Sequence, residues 1–316
     1  MSIESQHRRV VMSYGGSRPG PTLLVFAGIH GNEPAGINAL RLVRKMLDVE
    51  PITNPDFSFS GEVLGLVGNL AASKENVRFI DEDLNRIWTD KRVAHVKATS
   101  EDLLSTEEKE LKEILSFIHR YIEEHKPEKL YILDLHTTSS DGGIFAIPTD
   151  EEESINIASN LYSPVILGII DGIQGTTLHY FKKTLFDDLE TVAVTFEGGQ
   201  HQDHMSTNRC IAAIINCLRS IGCVSSKDVE NIHDRILIEY SQSLPKVSRL
   251  LYKHSLKPED NFIMSPGFKN FDIITKGQEL AKDKNGPVHS PFDGRILMPL
   301  YQAKGEEGFY IVEPIV

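Results

Sequence analysis

The chain is poor in cysteine, in positive charge and in long apolar runs, and each shortage closes off a class of protein. Its three cysteines, Cys210, Cys217 and Cys223, fall in one short stretch without a CxxC pair, which excludes a disulfide framework and a zinc ribbon. Cys210 and Cys217 share one face of the helix-like run TNRCIAAIINCLRSIGC, so reduced, buried thiols are expected. Lys and Arg number 33 against 45 Asp and Glu, and the net charge of −12 disfavours nucleic acid and anionic membrane surfaces as partners. The longest apolar stretch, residues 23–29, is far short of a membrane span, and the opening MSIESQHRRVVMSYGG holds no apolar run of signal-peptide length. A cytoplasmic protein is therefore expected. Repeats and low-complexity tracts are missing too, and 40% hydrophobic with 25% charged residues is the balance of a folded globular chain, not a disordered one.

What is present reads as alternating strands and helices. Apolar, β-branched runs at 22–27, 62–67, 130–135, 165–170 and 191–196 end abruptly at polar residues and predict strands. Between them, residues 34–47 open with a proline at a tolerated first-turn position, and 106–124 keep Leu111, Ile114, Leu115, Ile118 and Ile122 at helical spacing. Ser105 with Glu108 makes a capping-box start for the second helix. This alternation predicts a layered α/β domain with a sheet that is at least partly parallel. At 316 residues the chain has room for a second, smaller domain. After residue 224 the texture changes to short strand-like runs broken by Gly, Pro and Asn, predicting a first, α/β domain over 1–224 and a small all-β domain over 225–316.

Three strand ends carry polar residues: Gly28-Ile29-His30-Gly31-Asn32-Glu33, Asp134-Leu135-His136 and Glu197-Gly198-Gly199. In open α/β sheets sites gather beyond the carboxyl ends of strands, so these groups can converge despite their separation in sequence. His30, Glu33 and His136 form a His₂Glu set that leaves a fourth position for water, the ligand pattern of catalytic zinc. A surface histidine beside a helix-start glutamate is the plainer alternative for His30 and Glu33. Asp134, two residues before His136, points to the same strand face and is placed to orient its imidazole.

A second constellation spans residues 76–88, NVRFIDEDLNRIW, in which two arginines, an asparagine and the only tryptophan suggest an anion grip, arginine offering a planar fork to a carboxylate. The alternative is that Asp81, Glu82 and Asp83 neutralise both arginines in a solvated loop.

Taken in order, GIHGNEPAG, VRFIDEDLNRIW, DLHTTSS and FEGG resemble the succinylglutamate desuccinylase and aspartoacylase family, deacylases related to the zinc carboxypeptidases, over residues 22–199. The resemblance implies a zinc-carboxypeptidase-like mixed sheet flanked by helices, one zinc ion per chain, and hydrolysis of the amide of a small anionic N-acyl amino acid. It puts the zinc ligands on His30, Glu33 and His136 and the general acid/base on Glu197. Asn85 and Arg86 correspond to the pair that holds the α-carboxylate, and Arg78 to the arginine that polarises the scissile carbonyl. The additional arginine that aspartoacylases carry before the catalytic glutamate has no counterpart here, where Asp187 and Asp188 stand, with Lys182 and Lys183 upstream. That departure argues against acetylaspartate. For the tyrosine that closes over the substrate, Tyr301 is the candidate.

The segment GPVHSPFDGRILMP resembles half of a lipoyl- or biotinyl-carrier sandwich, without a Met-Lys-Met or Asp-Lys-Ala that would be modified. A barrel-sandwich-like tail that narrows access to the site is expected. Three rival readings are a zinc carboxypeptidase, a noncatalytic zinc-binding protein, and metal binding at His201 and His204 in GGQHQDH. A homo-oligomer is compatible with the sequence, which does not specify one.

Overall fold

The structure, a computed structural model, describes residues 9–182, 189–225 and 232–315. Lys183, Asp187 and Asp188, and residues 226–228 just past the expected domain boundary, lie outside the described residues.

Strands in chain order are β1 (Val10–Gly15), β2 (Arg18–Ala27), β3 (Ser60–Val67), β4 (Lys129–Thr138), β5 (Phe145–Pro148), β6 (Val165–Leu167), β7 (Glu190–Gln200) and β8 (Val247–Ser255). The C-terminal stretch adds β9 (Ile263–Met264), β10 (Ile273–Ile274), β11 (Glu279–Asp283), β12 (Gly286–His289), β13 (Gly294–Leu297) and β14 (Glu307–Pro314). An eleven-stranded sheet runs β1-β3-β2-β4-β7-β5-β6-β8-β14-β13-β10, and a three-stranded sheet runs β12-β11-β9. Its centre, β3-β2-β4-β7, is parallel, while β1 and β5 pair antiparallel with β3 and β7, so the sheet is mixed as expected.

Parallel strands covered on both faces need near-continuous apolar runs, and β2 supplies one. Its Leu23, Val25 and Ala27 enter the core shared with the helices Pro34–Thr53 and Met205–Ser220. Leu24 and Phe26 point to the other face, where Leu111, Ile114, Leu115 and Ile118 of the helix Thr106–His125 cover them. Ser105 and Glu108 form the expected reciprocal cap on that helix. Cys210 and Cys217 are buried on Met205–Ser220, and Cys223 is buried just beyond it; all three are free thiols. No described helix is long and apolar enough to cross a membrane.

Two boundaries differ from expectation. The strand predicted over 165–170 stops at Leu167, because Gly168 takes a left-handed φ of 80° and starts the short turn Ile169–Gly172. The first helix passes residue 47 and continues to Thr53, with Pro51 inside it.

In the C-terminal region β8 runs parallel to β6 and antiparallel to β14, so these strands extend the main sheet. Strand β14 alternates between two cores, as a period of two requires. Phe309 and Ile311 join Met264, Leu280 and Ile296 in a small cluster, while Tyr310 and Val312 face the larger one. A strand packed this way brings its own Glu307 and Tyr310 into the lining of a pocket shared with His136 of β4 and Glu197 of β7.

Candidate active site

The parallel register of β4 and β7 sets His136 directly beside Glu197. His30 and Glu33 arrive from the loop after β2, whose course depends on two glycines. Gly28 has a φ of 64°, and a Cβ on Gly31 would lie 2.0 Å from the Ala72 carbonyl carbon. Glu33 stands at the N-terminal boundary of the helix that begins at Pro34, with its side chain free of any cap contact, and its N–H donates to the His30 carbonyl at 3.2 Å.

These residues converge as the sequence indicated. His30 Nδ1 lies 2.8 Å from Glu33 Oε1, His136 Nδ1 lies 3.2 Å from Glu33 Oε2, and the Thr137 N–H donates to Glu33 Oε2 at 2.9 Å. The outward nitrogens are each held by a carboxylate: His136 Nε2 is 3.0 Å from Asp134 Oδ2, and His30 Nε2 is 3.0 Å from Asp83 Oδ1. All five groups are buried.

Burial alone would raise the Glu33 carboxyl, but His30 and His136 outweigh it and hold the group well below its ordinary range. Burial alone would lower His136, but Asp134 and Glu33 outweigh it and hold the ring well above its ordinary value. His30, Glu33 and His136 offer ligand atoms within 4.8 Å of one another, a group of the kind that could hold a divalent cation. With a carboxylate behind each imidazole, the donor set fits zinc.

Beside this cluster Glu197 Oε2 is buried without a hydrogen-bond partner. Burial is the main reason its carboxyl is pushed up to about 8, with His136 and Arg78 acting in the opposite direction and Glu33 and Asp134 adding to it.

The loop 78–86 delivers the second constellation. Arg78 donates from Nε and Nη2 to Asp83 Oδ2 at 3.1 and 2.8 Å, and its Nη1 lies 3.9 Å from Glu33 Oε1. Asp83 therefore joins the guanidinium to His30. Its role is not solvated neutralisation, and sequence alone did not reveal it. The loop is held by Glu107, a fully buried residue of the Thr106–His125 helix, whose carboxylate accepts the N–H groups of Ile80, Asp81 and Glu82 at 2.8, 3.0 and 3.2 Å. Asn85 Oδ1 accepts the Thr177 N–H at 3.0 Å, and the Thr177 hydroxyl donates to Asp134. Thr177 thus ties the loop to β4.

Arg86 meets Glu307 at 2.6 Å and Glu306 at 3.4 Å, both from the C-terminal region. His30, Glu33, Arg78, Asn85, Arg86, His136 and Glu197 all line one pocket. Two residues are placed elsewhere. The Tyr301 hydroxyl donates to the Ser265 carbonyl at 2.8 Å and accepts from the Phe268 N–H at 2.9 Å, so its ring serves the C-terminal turn while Gln302 and Tyr310 line the pocket. Trp88 is core, packed against Phe26, Tyr180 and Phe181, and grips no anion. His204 is 91% exposed, whereas His201 Nδ1 lies 2.7 Å from the Thr137 hydroxyl, so the two do not form a metal pair.

Residues 19–218 match the sequence profile of the succinylglutamate desuccinylase/aspartoacylase catalytic domain. A succinylglutamate desuccinylase of Pseudoalteromonas atlantica is 26% identical over 285 residues, which cover 87% of this chain and 76% of that protein. The solved structure of succinylglutamate desuccinylase from Vibrio cholerae superposes with a TM-score of 0.62 at 18% identity, covering 94% of this chain and 82% of the other. A succinylglutamate desuccinylase/aspartoacylase from Rhodobacter sphaeroides gives 0.64 at 14% identity, over 96% and 88% of the two chains. At such identities the structural likeness establishes the fold.

Proposed function

Since the chain belongs to the succinylglutamate desuccinylase/aspartoacylase family, hydrolases of amide bonds, we propose that it is a zinc-dependent deacylase of small N-acyl amino acids. The observation that carries the reading is the partnerless, buried Glu197 carboxyl oxygen standing beside the His30, Glu33 and His136 cluster. In this reading residues 1–224 form the catalytic part, and residues 225–316 narrow its mouth through Met298, Leu300, Gln302 and Tyr310.

His30, Glu33 and His136 would hold the zinc, with Asp83 and Asp134 fixing the two rings. Bound there, zinc lowers the pKa of water to about 7 and polarises a carbonyl. Glu197 takes the proton of the attacking water and passes it to the leaving nitrogen, which departs as an amine. Arg78, held in place by Asp83, faces the oxygen on which negative charge develops. Asn85 and Arg86 hold the carboxylate end so that the amide lies within reach of Glu197.

The test is Glu197→Gln. The variant should keep its zinc and lose turnover by about 100-fold or more, whereas His136→Ala should lose both. Near-normal turnover in the Gln variant would remove Glu197 from the base role.

A further inference from the structure

Part of the pocket wall is aliphatic. It is built by Ile147 on β5, Ile169 and Ile170 in the turn after β6, Ile173, Leu178 and Met298. Ile147, Ile169, Ile170 and Leu178 are 6, 3, 4 and 6% exposed, so the surface is fixed by the core behind it. Among the described residues that line the pocket there is no lysine, and the two arginines already have acidic partners. Arg78 pairs with Asp83 at 2.8 Å, and Arg86 with Glu307 at 2.6 Å and Glu306 at 3.4 Å. The positive charge left for a ligand is a share of Arg86 and the cation held by His30, Glu33 and His136.

One substrate carboxylate can be met by the Asn85 and Arg86 end. A second, placed against the isoleucines, would meet no described cation that lacks an acidic partner, in a pocket that also presents Glu197 and Glu307. An apolar group placed there loses only contact with water. Resting on the deacylase reading, we infer that the substrate is a monocarboxylate whose remaining body, the amino-acid side chain or the acyl chain, is apolar, and that this aliphatic wall selects it.

The experiment compares kcat/KM of the zinc-loaded full chain on N-acetylleucine, N-acetylphenylalanine, N-hexanoylglycine, N-acetylaspartate and N-succinylglutamate. The best monocarboxylate should exceed both dicarboxylates by about tenfold or more, the scale on which apolar pockets discriminate. Preference for the leucine or phenylalanine compound assigns the wall to the side chain, and preference for hexanoylglycine assigns it to the acyl group. A dicarboxylate within tenfold of the best monocarboxylate overturns the inference and leaves the deacylase reading intact. Silence on all five compounds overturns that reading, and this one with it. Ile173→Arg, at a half-buried position, should shift the ratio toward N-succinylglutamate by about tenfold. An unmoved ratio in a variant with the parent's melting temperature overturns the role of the wall.

Discussion

Asp83 and Asp134 do the same work from opposite sides of the cluster, each holding the outward nitrogen of one imidazole so that the other faces Glu33. The second was legible in the sequence, because two residues along a strand return to the same face. The first was not, since its partner His30 lies 53 residues away and Asp83 sits in an acidic run that reads as surface. Outer carboxylates of this kind are worth about 10–100-fold in metal affinity. Asp83→Asn should therefore weaken zinc binding by that factor in competition with a chelator, and should also loosen Arg78 and lower kcat. Unchanged zinc affinity would mean that Asp83 serves Arg78 alone.

Among the elements, the loop 78–86 depends on a residue outside itself. Glu107 accepts three successive N–H groups of that loop and the Asn69 side-chain amide. Glu107→Ala should cost about 2–3 kcal/mol in denaturant unfolding, because several buried donors lose their acceptor. It should also reduce turnover while zinc stays bound. Loss of stability with full activity would show that the loop keeps its shape unaided. The sequence marked the helix start at Ser105 but gave no sign of this role, since a glutamate in a first turn already has a reason to be there. Long apolar runs made β2, β3, β4 and β7 legible. The short β5 and the turn after Gly168 were not, because four residues carry little periodicity and one left-handed glycine ends a run that remains apolar. Trp88 shows the converse, a residue that sequence placed in the anion grip because it neighbours Arg86 and that packing claimed for the core.

For the whole molecule, the C-terminal texture predicted strands but not that β8 and β14 would lengthen the main sheet, because pairing between distant segments leaves no local pattern. That pairing matters for the site, since it carries Glu307 to Arg86 across 221 residues of sequence. Metal binding at the two imidazoles would have a global consequence as well. A cation bound only by the folded chain stabilises it by about 4 kcal/mol at a thousandfold excess over its dissociation constant. Stripping zinc with a chelator should lower the melting temperature, and zinc should restore it; a melt indifferent to both would deny the cluster its metal.

Whether His30, Glu33 and His136 with Glu197 make an amide hydrolase for small N-acyl amino acids is decided by following amine release. The zinc-replete chain is given N-acyl amino acids and, in parallel, peptides with free C-termini. Amine should be released from N-acyl amino acids, with release stopping on addition of chelator and returning with zinc. Cleavage of the peptides without deacylation would contradict it.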